Sequence, residues 1–166
     1  MATFVTSGGV NIDLTANEVN PSFTPGLTVK TSDGGEAVYV QATSTIAQYN
    51  ACIIINTASA AGASIGCVPV TTTNALTSQR LAFAQSAITS SNYGWVQTSG
   101  NSIRVNALIA CQPAVPLYTT STAGSLDDAV VTAGYCLGVV LMSSATSASS
   151  PPAVVGNSVI RTYAGG

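Results

Sequence analysis

The sequence predicts an all-β protein, a compact β-sandwich or barrel preceded by an extended N-terminal arm. Three observations carry that prediction. Apolar and polar residues alternate with period two in most segments, which sends alternate side chains to opposite faces of a strand. Turn signals rich in Gly, Ser, Asn and Asp separate those segments at short intervals. Pro21, Pro25 and clustered glycines oppose helix formation between them. The 166 residues are enough for one domain with its own core. The pattern divides them into an arm, 1–30, and a single β-rich domain, 31–166.

In the arm, "VNIDLT" sets Val10, Ile12 and Leu14 against Asn11, Asp13 and Thr15. "NEVNPSFTPGL" follows, extended at both prolines. A free arm would expose Phe4, Val10, Ile12, Leu14 and Phe23 with nothing to offset its ordering entropy. It is therefore expected to dock as an added strand on a partner, with an ordinary first strand of its own sheet as the alternative.

Asp33-Gly34-Gly35 makes a turn, because Gly supplies the positive φ that tight turns need. A strand is expected from Glu36 to about Thr43, and another centred on Ile53, Ile54 and Ile55. Residues 57–79 are small and polar. They read as a loop with a short strand at Cys67–Val70, a helix over 58–64 being disfavoured by Gly and Ser. "RLAFAQSAI" alternates again. "GWVQTSG" and "NSIRVNALI" read as two strands of a hairpin turning at Ser99-Gly100-Asn101. A short strand and turn fall in 116–131, and the last strands in "YCLGVVLMSS" and "NSVIRTYA". "SSATSASSPP", 143–152, reads as a mobile loop between them. The expected core holds Ile53, Ile55, Leu81, Phe83, Val96, Ile103, Val105, Val139 and Leu141.

Composition narrows the function. Apolar residues make up 46%, but charged residues only 6%, against about 25% in an average protein. A surface this poor in charge has little protection against association, so a partner is expected to cover part of it. Four cations and a net charge of −2 exclude a nucleic-acid footprint and a polybasic membrane patch. Apolar runs such as "CLGVVLM" are too short to span a bilayer. The N-terminus has no basic region followed by an apolar run, so no signal peptide is expected.

Catalysis lacks its usual groups. There is no histidine, which removes Ser-His and Cys-His nucleophiles, and Lys30 is the single lysine. Asp127 and Asp128 form the one adjacent acid pair. They suit a turn or cap better than a hard-cation site, which needs more oxygens. Cys52, Cys67, Cys111 and Cys136 show no zinc spacing and read as small buried hydrophobes. No enzyme, cofactor or metal is expected. Tyr93 and Trp95 share one strand face, as core or as an aromatic contact with a sugar or a partner.

Three segments, 33–51, 92–129 and 134–142, resemble the head decoration, or cement, proteins of tailed bacteriophages. The first is "DGGEAVYVQATSTIAQYNA", the second carries "YGWVQTSG" followed by "VPLYTTSTAGSLDDA", and the third carries "LGVVLM". The resemblance implies a virion protein, made in the host cytoplasm, that sits on the outer capsid surface. It implies the major capsid protein as partner and self-association, as a homotrimer. Phe4, Val10, Ile12, Leu14, Phe23, Tyr93 and Trp95 are then the expected interface residues. A phage fibre or adhesin domain that binds glycans or receptors is the alternative, and a self-assembling fibre-forming surface protein the next.

Overall fold

The computed structural model describes residues 4–7, 10–59, 62–130, 133–146 and 150–162. About 51% of the chain is strand and no described residue is helical, as the alternation predicts. In chain order the strands are β1 (Phe4–Ser7), β2 (Val10–Asp13), β3 (Asn17–Glu18), β4 (Thr28–Lys30), β5 (Glu36–Ala42), β6 (Ala51–Ser59) and β7 (Gly62–Pro69). They continue as β8 (Leu81–Ala84), β9 (Tyr93–Arg104), β10 (Leu117–Thr119), β11 (Leu126–Asp127), β12 (Ala133–Leu141) and β13 (Pro152–Thr162).

Five strands close a barrel in the order β5–β9–β8–β6–β7. The closing contact is a short parallel pairing, Gln41 with Gly66 and Ala42 with Cys67. The other four contacts are antiparallel. Barrel width grows with strand number, so five strands leave a narrow interior. Small residues fill it: Ala42, Cys52, Cys67, Ala82 and Ala84 join Val38, Val40 and Val96. Ile46 and Ile88 face each other in an isolated bridge and pack into the same cluster. The four cysteines are all buried and free, as expected of small hydrophobes.

The alternate residues on these strands point out of the barrel, and two further layers cover them. Ile53, Leu81 and Phe83 face a second sheet, which runs from the end of β9 through β13, β12 and β10 to β11. Ile103, Val105, Val139, Leu141, Val155 and Ile160 complete that core. Tyr39 and Trp95 face a different cover, the segment carrying Ile12, Leu14 and Val29. Of the nine expected core residues, eight are buried and Ile55 is half-buried. Val96 lies inside the barrel, whereas the other seven buried ones pack between it and the second sheet.

Two expectations are corrected. Residues 93–104 form one twelve-residue strand instead of a hairpin. Its first half pairs with β5 and β8; from Gly100 onward it pairs with β13, Gly100 opposite Val155 and Ile103 opposite Ala153. Ser99-Gly100-Asn101 is thus a bend by which one strand passes from the barrel to the second sheet, with register shifts on both sides. The short strand expected at Cys67–Val70 is the end of a longer one, Gly62–Pro69, which replaces the loop expected before it. Its ladder with β6 is unbroken from Cys52–Pro69 to Ser59–Gly62, so pairing overrides weak local preference. The loop 143–152 is tied at both ends. Ala145 is buried, Arg104 Nη1 donates to Ser150 O at 2.7 Å, and Val105 N donates to Pro151 O. Residues 147–149 lie outside the described residues.

The N-terminal stretch begins as a β1–β2 hairpin, Phe4 opposite Asp13 and Ser7 opposite Val10. Residues 12–30 lie against the barrel of their own chain. β3 pairs with β9, Asn17 opposite Gly94. Gly94 permits this approach, because a Cβ there would meet Ala16 O and Ile88 Cδ1 at 2.8 Å.

Candidate interaction surface

The sequence singled out seven residues, and the structure gathers five of them. Ile12, Leu14, Phe23, Tyr93 and Trp95 meet around Tyr39 on the outer face of β5 and β9. The Tyr39 and Trp95 rings lie 5.0 Å apart, and Phe23 sets its edge against both at 5.4 and 5.5 Å. Such ring pairs add to the burial of large apolar area. Ile12, Leu14 and Trp95 are buried inside this chain, so they present no side-chain surface to a partner. Trp95 is 2% exposed and offers no ring face for a sugar to stack on. Phe4 lies in β1 and Val10 in β2, and their side chains lie outside the described residues.

A polar clasp holds this cover in place. Tyr39 Oη donates to Glu18 Oε2 at 2.5 Å, and Ser22 N donates to the same oxygen at 3.1 Å. Burial alone would push Glu18 up, but the bonds from Tyr39 and Ser22 outweigh it and hold the carboxyl below its ordinary value. Burial, then the adjacent carboxylate, push the Tyr39 hydroxyl up to about 12.

The uncovered surface lies elsewhere. The second sheet buries one face of β12 and β13 and leaves the other bare. Leu137 stands opposite Val159 there, and Val140 opposite Val154. Leu137, Val140, Met142 and Val154 are 42, 47, 57 and 40% exposed. Gly138 creates this row. It sits in a β-bulge at φ +85°, and a Cβ there would meet Gly156 O at 2.5 Å. The register shifts here, with residues 156–158 of β13 opposite Gly138 alone, and with the alternation of β12 interrupted both Leu137 and Val140 face outward. The row carries no charge until Arg161, opposite Tyr135.

A cleft of about 290 Å³ runs beside the row, lined by Ala114, Val115 and Pro116 on one side and residues 135–140 on the other. β10 pairs with β12 only at Tyr135 and Cys136. The cleft thus runs along the β12 edge from that pairing to the bond by which Ala114 N donates to Leu141 O at 3.2 Å. The sequence carried a signal for this face: "CLGVVLM" is apolar at nearly every position, more than a half-buried strand needs.

The few charges elsewhere serve the chain itself. Glu36 takes Lys30 at 2.6 Å and Arg80 at 3.7 Å, both partly exposed. Among the described residues one group of side chains has a metal-ligand character, Cys111 with Asp127 and Asp128. No known protein family, curated protein or solved structure matches the chain. The resemblance to decoration proteins stands on its three segments alone.

Proposed function

We propose that the chain is a structural, non-enzymatic virion protein that binds the outer surface of a capsid and ties neighbouring capsomers together. The observation that carries this reading is the charge-free row Leu137, Val140, Met142 and Val154, beside the cleft between β12 and residues 114–116. Apolar side chains on this paired-strand face provide contact area, and the short stretch of β12 edge within the cleft offers backbone groups to a partner. Symmetric repetition over a shell then multiplies weak contacts, because each bound site raises the effective concentration for the next. The homotrimer is part of the proposal and rests on the resemblance. The glycan-binding alternative takes Tyr93 and Trp95 together as its platform; Trp95 is covered and Tyr93 is half-buried.

Mixing the purified chain with capsids lacking it, followed by sedimentation and cryo-electron microscopy, tests the proposal. Saturable binding in a fixed ratio to the major capsid protein is expected, with the β12–β13 face against the shell. Absence of the chain from both reconstituted and native particles would refute it.

A further inference from the structure

Asp127 and Asp128 are adjacent in sequence, and the fold brings Cys111 to them. Asp127 ends β11, Asp128 follows it, and Cys111 lies in the loop before β10. One thiol sulfur and one oxygen of each carboxylate all lie within 4.8 Å of one another. The thiol belongs to a fully buried residue, while both carboxylates are half-buried and reachable from solvent.

Each carboxylate is already held by one backbone bond. Gln112 N donates to Asp128 Oδ2 at 2.9 Å, and Asp128 N donates to Asp127 Oδ1 at 2.9 Å. The second oxygen of each carries no hydrogen bond among the described residues. Asp128 N–H also approaches the Cys111 sulfur, but the S–H proton has no acceptor among the described residues. No ion pair among the described residues involves Asp127 or Asp128. Two negative charges therefore converge on a buried thiol without a cation.

We propose that Cys111, Asp127 and Asp128 form a binding site for a divalent metal ion of the zinc class. One sulfur and two oxygens suit a borderline ion such as Zn²⁺, whose bonds to S and O run about 2.3 and 2.0–2.2 Å. Tetrahedral placement at those lengths sets ligand atoms roughly 3.3–3.8 Å apart, a modest contraction of the present cluster. Water fills the fourth position. On binding, the S–H bond breaks, the sulfur keeps the electron pair and bonds the metal, and one proton leaves to solvent. No oxidation state changes. The ion would fasten the Cys111 loop to β11 at the edge of the second sheet.

Along the sequence two carboxylates are too few for a hard cation, and the four cysteines have neither zinc spacing nor a histidine to complete a site. The sulfur comes from sixteen residues upstream and becomes a ligand only through folding.

Co²⁺ tests the site, because a thiolate bound to it gives a charge-transfer absorption in the near ultraviolet. The reduced full chain is titrated with CoCl₂ alone, then with ZnCl₂. One Co²⁺ per chain with that band is expected, displaced by one equivalent of Zn²⁺. Cys111→Ser should abolish the band. Asp128→Asn, at a half-exposed position where the fold is readily kept, should weaken binding at least tenfold with unchanged circular dichroism. Lack of the band in the parent protein overturns the proposal. So does a band that survives Cys111→Ser, or an affinity that Asp128→Asn leaves unaltered. Binding of Ca²⁺ without a cobalt–thiolate band would also overturn it, since a hard cation would then be using the carboxylates alone.

Discussion

Two sheet faces of this molecule are rich in apolar side chains, and the chain treats them differently. The outer face of β5 and β9, with Tyr39, Tyr93 and Trp95, is roofed by the chain's own N-terminal stretch. The outer face of β12 and β13, with Leu137, Val140, Met142 and Val154, has no roof among the described residues. Size explains part of the contrast. Trp95 and Tyr39 are each larger than any of the Leu, Val and Met side chains of the bare face, so covering them stabilises the fold more per residue. The bare face is cheap to leave open, which makes it the region where a partner gains without the fold being at risk.

The largest effect should come from the layer beneath both faces. Phe83 is fully buried between the barrel and the second sheet. Phe83→Ala should cost ~3–5 kcal/mol in urea unfolding, since it removes a ring and leaves a cavity. A loss within ~0.5 kcal/mol would mean that the two layers do not pack through this ring.

The roofed face comes next. Leu14 is 4% exposed and packs among Tyr39 and Trp95. Leu14→Ala should cost ~2–4 kcal/mol. It should also shift Trp95 fluorescence to the red as water reaches the ring. Unchanged emission together with unchanged stability would show that this roof lifts freely in solution, restoring the docking arm that the sequence suggests.

On the bare face the same logic predicts the opposite pattern. Val140→Lys should leave stability within ~0.5 kcal/mol, because the side chain already meets water. Capsid binding should fall at least tenfold, equivalent to ~1.4 kcal/mol. Full binding by this variant would move the interface elsewhere on the molecule.

The contrast between the faces also marks what the sequence could and could not reveal. Period-two alternation identified most of the longer strands and most of the core, because alternation is a local property. It could not tell which layer each face meets. Ala82 and Ala84 alternate with the larger Leu81 and Phe83, yet they too are core and fill a barrel too narrow for larger residues. Gly100 was legible as a bend, but whether a bend reverses a strand or hands it to another sheet depends on distant partners such as Val155. At the candidate surface, of the aromatic pair Trp95 is interior and Tyr93 half-buried. The exposed row depends on a bulge at Gly138, which a single glycine in an apolar run only hints at. Cys111 joins Asp127 and Asp128 through tertiary structure alone.

The smallest effect concerns how the roof is fastened. The clasp needs Glu18 ionised as acceptor and Tyr39 protonated as donor. Glu18 is held below its ordinary value of 4.5 in the folded chain. A carboxyl so depressed contributes stability that is present above the unfolded value and is lost as pH falls through the folded one. Tyr39 is raised from 10.0 to about 12, so its contribution is present below pH 10 and lost as pH rises toward 12. Together they define a plateau between those limits. Glu18 keeps contact with water, so the clasp should supply no more than about 1 kcal/mol. Glu18→Gln keeps a hydrogen-bond acceptor and removes the charge. It should lower the plateau slightly and flatten its acid edge, while the loss at alkaline pH, which follows mainly from burial of the Tyr39 hydroxyl, persists. Unfolding free energies measured from pH 3 to 11 in both proteins decide the matter. Superimposable acid limbs would show that the roof is held by its apolar contacts alone, with Glu18 a bystander.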